Sequence, residues 1–298
     1  MAKPDFFIVG APRCGTSSLY TYLKQHPDIY MPERKELRFF GSDLRRREGG
    51  FQHIRTMEEY LSYFYGAKGQ KRIGEASPVY MISTTAAREI HEFNPEAKII
   101  IMLRSPIDVM YSWWSHLRFL GHERLSFEGA LAAEEERRLL PESDSAFAVE
   151  SLLYRYRARF SERVERFFDA FGREQVHVII FDDFNSDTAK AYRDVLTFLE
   201  VDPDFQPKFE RVNANQVARN ALMRDFMQHP PGLLMAVGQA IRPVAQPLYW
   251  KLRHLNTRYA PREPMNPELR KQLQAEFLPE VTRLSELLGR DLTHWCRN

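Results

Sequence analysis

Residues 6–27 read FFIVGAPRCGTSSLYTYLKQHP, and this stretch decides the fold class. A short run of apolar and aromatic residues ends at Gly10, which is typical of a buried strand. Hydroxyl residues that begin at Thr16 then open a helical pattern with apolar side chains on one face. A strand, a glycine-containing turn and a helix in this order predict a phosphate-binding loop on an α/β sheet.

This loop differs from the loops that bind nucleoside triphosphates. Gly10 and Gly15 keep the five-residue spacing, so the backbone amides of residues 13–17 can turn inward toward an anion. The lysine that normally reaches the β and γ phosphates is absent, and Arg13 is the only long cation within the loop. We therefore expect a ligand with one 5′-phosphate and a second anionic group beside it, bound without a metal. The alternative is a tight turn that merely contains glycines.

Further strand and helix patterns extend this unit into a sheet. Strands are predicted at 71–78, 98–103 and 175–181, and helices after Ser105, at 187–200 and at 266–288. Alternating strands and helices predict an α/β, P-loop-like three-layer fold, with a mostly parallel central sheet flanked by helices. Parallel sheets bind ligands at the carboxyl ends of their strands. The loops predicted to meet at that edge are 10–16, 74–80 and 103–106.

The bulk composition limits the classes of protein. The chain has 298 residues, and we predict a single domain over 1–298 with a helical C-terminal cap at about 220–265. The apolar segment 232–252 belongs to this cap; the alternatives are a lid or a transient contact with a membrane surface. Lys plus Arg number 42 and Asp plus Glu 40, a balance that argues against a nucleic-acid partner. Only two cysteines and no signal-peptide pattern predict a cytoplasmic protein; no oligomeric state is predicted.

A second anion site is indicated after the strand at 98–103. Arg104 stands at its carboxyl end, where an arginine needs an anionic partner. Ser112 lies about two turns into the next helix and can lean back toward the strand end. The pair is suited to a second phosphate; the alternative is an ion pair between Arg104 and Asp108 beside an incidental serine.

An ordered set of motifs carries a family resemblance along nearly the whole chain. PRCGTSSL resembles the 5′-phosphosulfate loop, and LRSPIDVMYS the 3′-phosphate motif, of sulfotransferases that use 3′-phosphoadenosine 5′-phosphosulfate (PAPS). KELRFF and GEASPVYM are similar to segments of the heparan sulfate branch of these carbohydrate sulfotransferases. VHVIIFDDFNSD, LTFLEVDP and LSELLGRDLTHW resemble later parts of the family sequence. The resemblance implies sulfuryl transfer from PAPS, with 3′,5′-adenosine bisphosphate (PAP) as product and no metal.

The resemblance also implies roles for individual residues. Glu36 corresponds to the catalytic base, and Arg13, with Lys35, is expected to neutralise charge on the leaving oxygen. Arg104 and Ser112 correspond to the 3′-phosphate site, and Arg219 to a basic position that closes over the donor. The loop residues that would hold the 5′-phosphosulfate are Arg13, Cys14, Gly15, Thr16, Ser17 and Ser18.

The acceptor is predicted only as a class. Arg13, Arg38 and Ala76 replace a lysine, a histidine and a lysine of the family pattern, and the last two departures concern the acceptor. A hydroxyl, less readily an amine, on a small molecule, a glycan or a lipid-linked compound is expected. Residues assigned to the acceptor side are Arg38, Glu75, His116 and Trp113.

Rival interpretations of the whole chain remain open at this point. An atypical nucleotide kinase would share the loop but would need a P-loop lysine and magnesium ligands. A non-catalytic nucleotide-binding module would bind the donor and lack a base. Glu36 itself lies in the charged run ERKELR, and such a run is often a solvated surface.

Overall fold

The computed structural model describes residues 2–45, 54–139, 150–210, 216–220, 223, 251 and 255–297. The predicted cap at 220–265 lies mostly outside these residues, as does the whole apolar segment 232–252 except position 251. The cap and the single-domain boundary therefore stay predictions.

Five parallel strands form the central sheet in the order β2-β3-β1-β4-β5. The first strand lies in the middle, with Ile8 opposite Ala76 on one side and Ile100 on the other. All five residues of this strand are buried, as expected for a parallel strand covered on both faces. The strands are β1 (Phe6–Gly10), β2 (Ile29–Tyr30), β3 (Arg72–Ala76), β4 (Lys98–Leu103) and β5 (Val176–Ile180).

Helices cover the sheet, and the predicted α/β fold with a parallel sheet is confirmed. Two of the strongest sequence patterns became its longest described helices, α5 and α12. Short 3₁₀ turns lie at Pro78–Met81, Arg173–Gln175 and Thr293–Cys296. The described helices are α1 (Thr16–Leu23), α2 (Ser42–Arg45), α3 (Met57–Ser62), α4 (Ala86–Phe93), α5 (Pro106–Leu120), α6 (Phe127–Ala132), α7 (Glu134–Arg138), α8 (Tyr154–Arg157), α9 (Ser161–Phe171), α10 (Phe181–Ser186), α11 (Thr188–Phe198) and α12 (Pro267–Leu288).

Two antiparallel strands form a second sheet that the sequence did not predict. Its strands are β6 (Gln216–Ala218) and β7 (Thr257–Tyr259), and β6 packs against α5. This pair of strands therefore brings part of the C-terminal third of the chain to the helix that carries Ser112.

Helix ends in the sequence explain where α5 and α12 begin and stop. Pro106 occupies the first turn of α5, where its missing N–H costs nothing, and Gly121 ends the helix at a φ of 75°. The side chain of Asn266 accepts from the Glu268 amide at 3.0 Å and caps α12, which ends at Gly289. The predicted helix at 266–288 is confirmed.

Two hydrophobic clusters support α5 from different sides. The larger one encloses the sheet, and the smaller one lies under α5 and includes Ile107, Met110 and Phe127. Helix α5 is thus fixed between the sheet edge and a separate apolar support. Within the described ranges, no helix is both long and apolar enough to cross a membrane.

The carboxyl ends of the strands meet at one edge, as predicted. The loop after β1 is tied to the end of β4, because the Ala11 amide donates to the Met102 carbonyl at 2.8 Å. The segment before α2 is tied to the end of β3, because the Glu36 amide donates to the Ala76 carbonyl at 3.0 Å. The phosphate-loop motif, the KELRFF motif and the GEASPVYM motif therefore share this edge.

Candidate active site

The loop after β1 has the shape of an anion cradle. Gly15 precedes α1 with a φ of 98°, a conformation that glycine adopts without strain. The amides of Thr16 and Ser17 are the first of α1 and have no acceptor within the helix. They therefore form the positive end of the helix. Burial raises the pKa of the Cys14 thiol to about 12, so Cys14 stays protonated inside the core.

Two arginines contact the hydroxyl of Ser112, which lies nearly two turns into α5. Arg13 Nε lies 3.0 Å from Ser112 Oγ, and Arg262 Nη2 lies 2.8 Å from the same atom. Ser112 is only 1% exposed. The buried Nε of Arg262 has no hydrogen-bond acceptor among the described residues. An unsatisfied buried donor beside a second guanidinium indicates a place for an anion.

Positive charge accumulates around this point. Burial lowers the pKa of Arg13, and the charge of Arg104 lowers it further. Burial, Arg13 and Arg104 together lower the pKa of Arg262 to about 10. Positive charges that lower the pKa of a neighbouring arginine lie close to it, and together they favour a negatively charged ligand.

The contacts of Arg104 are compatible with both interpretations of the sequence, a phosphate site with Ser112 and an ion pair with Asp108. Its Nη2 lies 3.4 Å from Asp108 Oδ2, and its guanidinium lies 4.7 Å from the centre of the Phe181 ring. Asp108 is also held by Arg270 at 2.9 Å. One carboxylate therefore serves two arginines, and Arg104 keeps positive charge available to the group at Ser112.

The predicted base lies on the loop of residues 35–40, called the base loop below, which combines one acid with two cations. Glu36 is paired with Arg38, and Lys35 Nζ lies 3.6 Å from Glu36 Oε1. Burial raises the pKa of Glu36, but the charges of Arg38 and Lys35 lower it by more, and the net shift is downward. Glu36 is thus ionised at neutral pH and not a fully solvated surface charge.

Lys35 joins this loop to the anion cradle. Its Nζ donates to Ser17 Oγ at 2.9 Å while remaining near Glu36. Burial lowers the pKa of Lys35, and the charge of Arg13 is among the further contributions. The structure therefore brings Arg13, Ser17, Lys35 and Glu36 together at the edge of the sheet.

Glu75, one of the residues predicted for the acceptor side, lies beneath the base loop. Glu75 is fully buried at the end of β3 and accepts hydrogen bonds from Tyr60, Ser77 and Tyr80. It pairs with neither Arg72 nor Arg88 in the described structure, since Arg72 binds Asp5 and Glu200 and Arg88 binds Glu92.

Trp113 and His116 lie together on α5, with ring centroids 5.6 Å apart. Trp113 Nε1 donates to the Ser151 carbonyl at 2.7 Å, and Arg157 stacks on the Trp113 ring at 4.1 Å. Burial lowers the pKa of Arg157 to about 9, and the charges of Arg163 and Arg38 contribute. Arg157 therefore adds a cation on the side of Arg38.

Arg219 follows β6 and is exposed. Its amide donates to the Asn256 carbonyl at 2.7 Å, and its Nε donates to the Thr257 carbonyl at 3.3 Å. These bonds tie the residues that follow β6 to those around the start of β7, and the role of Arg219 over the donor stays a prediction, as does that of Ser18.

Arg262 is the site residue that sequence reasoning missed. It lies in the segment YAPREP, which leads from the end of β7 toward α12, without helical or strand periodicity around it. Its partner Ser112 is 150 residues away, so no local pattern reports the contact. The only sequence signal is a lone arginine between two prolines, which fix the loop backbone.

No group of three or more His, Cys, Asp or Glu side chains with metal-binding geometry occurs in the part of the chain that the structure describes.

Comparisons with known proteins show the family and the fold. A family model described as "Sulfotransferase family" matches residues 4–207. A solved sulfotransferase from Alicyclobacillus acidocaldarius is 34% identical with a TM-score of 0.75, and the match covers 100% of both chains.

Curated relatives match over shorter stretches. A bifunctional heparan sulfate N-deacetylase/N-sulfotransferase 1 of Caenorhabditis briggsae is 24% identical, over 68% of this chain and 23% of its own. Carbohydrate sulfotransferase 15 of Mus musculus is 31% identical, over 37% of this chain and 26% of its own. The chain thus spans about a quarter of the length of these relatives.

Proposed function

This chain belongs to the sulfotransferase family, and from that premise we propose that it transfers a sulfuryl group from PAPS to a hydroxyl of an acceptor. When bound, PAPS supplies the activated sulfuryl group, and PAP is left as the product. The chain's own residues hold the donor's phosphates, take the acceptor's proton and balance the charge that develops.

The contact between Lys35 Nζ and Ser17 Oγ at 2.9 Å carries the proposal. Ser17 belongs to the anion cradle, and Lys35 is adjacent to the predicted base. A base and an anion cradle joined through one cation are the parts that in-line group transfer requires. A plain nucleotide-binding module would have no need of a carboxylate at this point.

The residues around Ser112 suit the 3′-phosphate of the donor. The charge of Arg104 lowers the pKa of Arg13, the charges of Arg13 and Arg104 lower that of Arg262, and Arg262 has an unused buried donor. A phosphate there would accept hydrogen bonds and offset the like charges. The amides of Thr16 and Ser17 and the Ser17 hydroxyl are left for the 5′-phosphosulfate.

Glu36 accepts the proton of the acceptor hydroxyl in this proposal. Its ionised form is available at neutral pH because Arg38 and Lys35 lower its pKa. A lowered pKa also makes a weaker base, so we assign most of the catalysis to positioning and charge stabilisation. Lys35 provides positive charge beside the cradle, where the leaving oxygen becomes negative.

The acceptor side combines aromatic and cationic surface. Arg157 stacks on the Trp113 ring, and His116 lies beside the same ring. The charge of Arg38 helps to lower the pKa of Arg157, so we take this group to flank Arg38 on the base loop. Such a surface suits a sugar ring or a phenol that carries the reacting hydroxyl. We propose a glycan or a small molecule as acceptor, with a lipid-linked compound as the remaining class.

Ligand binding tests the donor assignment before any acceptor is known. Thermal unfolding is measured with PAP and, separately, with ATP plus Mg²⁺. We expect PAP to raise the midpoint by an amount that grows with its concentration, since it binds only the folded state. A shift with ATP plus Mg²⁺ and none with PAP would support the nucleotide kinase instead.

Turnover of PAPS tests the base. Glu36→Gln should lower kcat by at least about a thousandfold, because the amide cannot accept the proton, while PAP affinity changes little. The panel of probe acceptors is 4-nitrophenol, heparosan and octyl glucoside. Glu33→Gln is the matched control, since Glu33 lies in the same charged run with its side chain 90% exposed. Full activity of Glu36→Gln would refute its role as base.

A further inference from the structure

The backbone of the base loop is held by residues that follow β3. The Arg38 amide donates to Ser77 Oγ at 2.9 Å. The amides of Phe39 and Phe40 donate to the hydroxyl of Tyr80 at 2.9 and 3.3 Å. Two side-chain hydroxyls therefore accept hydrogen bonds from three consecutive amides of the base loop.

Both hydroxyls pass their own hydrogen to one carboxylate. Ser77 Oγ donates to Glu75 Oε1, and Tyr80 donates to Glu75 Oε2 at 2.9 Å. Tyr60, from α3, donates to Glu75 Oε2 at 3.1 Å. Glu75 is 0% exposed, and these three hydroxyls are its recorded side-chain partners.

The direction of these hydrogen bonds depends on the charge of Glu75. A hydroxyl has a single hydrogen, and an ionised carboxylate accepts but never donates. With its hydrogen committed to Glu75, each of Ser77 and Tyr80 can only accept from the loop amides. A protonated or amide side chain at position 75 would bring a hydrogen of its own against these donating hydroxyls, so the bonds to Ser77, Tyr80 and Tyr60 could not all be kept and the support of the loop amides would weaken.

The loop needs such support because its backbone is strained. Glu36 has a φ of 62° and Arg38 a φ of 54°, both in the left-handed region that non-glycine residues seldom adopt. Strained conformations of this kind persist only where the surroundings fix them. These two left-handed residues lie two positions apart, and their side chains form an ion pair with each other.

We infer that Glu75, in its ionised form, is a positioning residue that fixes the Glu36 loop through Ser77 and Tyr80. The inference rests on the proposed function, since it concerns the aim of the base. Glu75 touches neither donor nor acceptor in this assignment; it acts through the hydroxyl pair on the geometry of Glu36.

A pH dependence follows from this arrangement. Burial raises the pKa of Glu75 to about 7; the hydroxyls of Ser77, Tyr80 and Tyr60 lower it, and the charge of Glu36 raises it. These are the groups that face Glu75 from β3's own exit, the 3₁₀ turn, α3 and the base loop. Below the pKa of Glu75 the carboxyl becomes a donor and the loop loosens, so turnover should fall as pH drops through about 7. Glu36, whose pKa is lowered, would not titrate there.

Glu75→Gln tests the inference through its kinetics and pH profile. We expect kcat for PAPS turnover with the best probe of the acceptor panel to fall about a hundredfold, as for a misaimed catalytic group. PAP affinity should stay within about threefold, because the cradle is separate from the hub, by which we mean Glu75 and the hydroxyls of Tyr60, Ser77 and Tyr80. The loss of turnover below about pH 7 should disappear in the variant, since nothing titrates at position 75.

Glu89→Gln is the matched control for this variant. Glu89 accepts from the amides of Gly41 and Ser42, just beyond the base loop, and so supports α2. We expect its kcat and its pH profile to match the wild type. A kcat of Glu75→Gln within twofold of wild type, or an unchanged acid limb, would overturn the inference.

Tyr60→Phe keeps the test decisive if Glu75→Gln does not fold. It removes one hydrogen bond to the carboxylate with little change in shape, so the pKa of Glu75 should rise and the acid limb should move to higher pH. An acid limb that does not move overturns the inference. Failure of the wild type to bind PAP would instead refute the proposed function, and hydrogen exchange of the amides in 36–40, slower in wild type than in Tyr60→Phe, would still report on the hub.

Discussion

Two groups of buried or half-buried charges in this protein differ in one respect. Around Ser112, three arginines (Arg13, Arg104 and Arg262) lie close together, and the carboxylate of Asp108 pairs with Arg104 and with Arg270. Beneath α5, the buried carboxylate of Glu123 has every partner it can use. The first group carries an excess of one sign, and the second is neutral.

The neutral group is built from the chain's own donors. Glu123 accepts from Arg137 at 2.9 Å, from Tyr154 at 2.7 Å, and from the amides of Arg124 and Leu125 at 2.8 and 3.0 Å. Burial raises the pKa of Glu123, but Arg137, the Leu125 amide and Tyr154 lower it by more, and the net shift is downward. This carboxylate joins the loop before α6 to Arg137 on α7 and to Tyr154 on α8.

The difference separates structure from function. Buried charge that has its counter-charge within the chain has nothing left to bind, and removal of one partner destabilises the fold. Buried charge of one sign raises the free energy of the empty protein and is relieved by a ligand of the other sign. Substitutions in the two groups should therefore have opposite profiles, a loss of stability in one and a loss of binding in the other.

Glu123→Ala should have the largest effect. It leaves Arg137 buried without its main partner, and loss of one member of a buried pair costs about 3–5 kcal/mol in the free energy of unfolding. Urea unfolding measures the loss, and PAP affinity of the folded fraction should be unchanged. Glu135→Ala, on α7 with its side chain 81% exposed, is the control and should change stability by about 0.5 kcal/mol or less.

The comparison would fail if Glu123→Ala cost less than about 1 kcal/mol, because the carboxylate would then contribute no more than an ordinary neutral hydrogen bond.

Arg104→Ala should show the reverse profile. Loss of one charged partner of a desolvated phosphate costs about 2–5 kcal/mol of PAP affinity. Stability without PAP should stay within about 1 kcal/mol of wild type, since relief from the neighbouring arginines offsets the lost contact with Phe181. Calorimetric titration with PAP and urea unfolding of the same sample measure both quantities.

A fall in stability for Arg104→Ala as large as that of Glu123→Ala, with PAP binding intact, would mean that Arg104 is part of a structural ion pair with Asp108. The sequence left that alternative open, and the distance of 3.4 Å between the two groups does not remove it.

Local patterns predicted the frame of the site and not its full composition. The strand from Phe6 to Gly10, the turn at Gly15 and the start of α5 at Pro106 each depend on residues near in sequence, and each was predicted. The meeting of three loops followed from the rule that parallel strands end at one edge.

Long-range contacts carry what the sequence could not supply. Arg262 reaches Ser112 across 150 residues, and Tyr60 reaches Glu75 from a helix that no motif included. The competition between burial and cations at Glu36 was also undecided, since it depends on how close Arg38 and Lys35 come. Physical proximity between distant segments, rather than residue type, settled these points.

Arg262→Gln gives the smallest and most specific of the expected effects. Glutamine can still donate to Ser112, so the change removes charge more than it removes a hydrogen bond. We expect PAP affinity to fall about tenfold, equivalent to about 1.4 kcal/mol, with stability unchanged. Arg258→Gln, an exposed arginine on β7, is the matched control and should leave PAP affinity unaltered.

Salt sharpens this last comparison. Added salt should weaken PAP binding to the wild type, because the arginine group reaches solvent and is screened, while the buried Glu123 pair is screened much less. Arg262→Gln has one positive charge fewer near the donor, so its PAP affinity should depend less steeply on salt than that of the wild type. Equal salt dependence in the two proteins would place Arg262 outside the donor's field, and its contact with Ser112 would then be structural, like the contacts of Glu123.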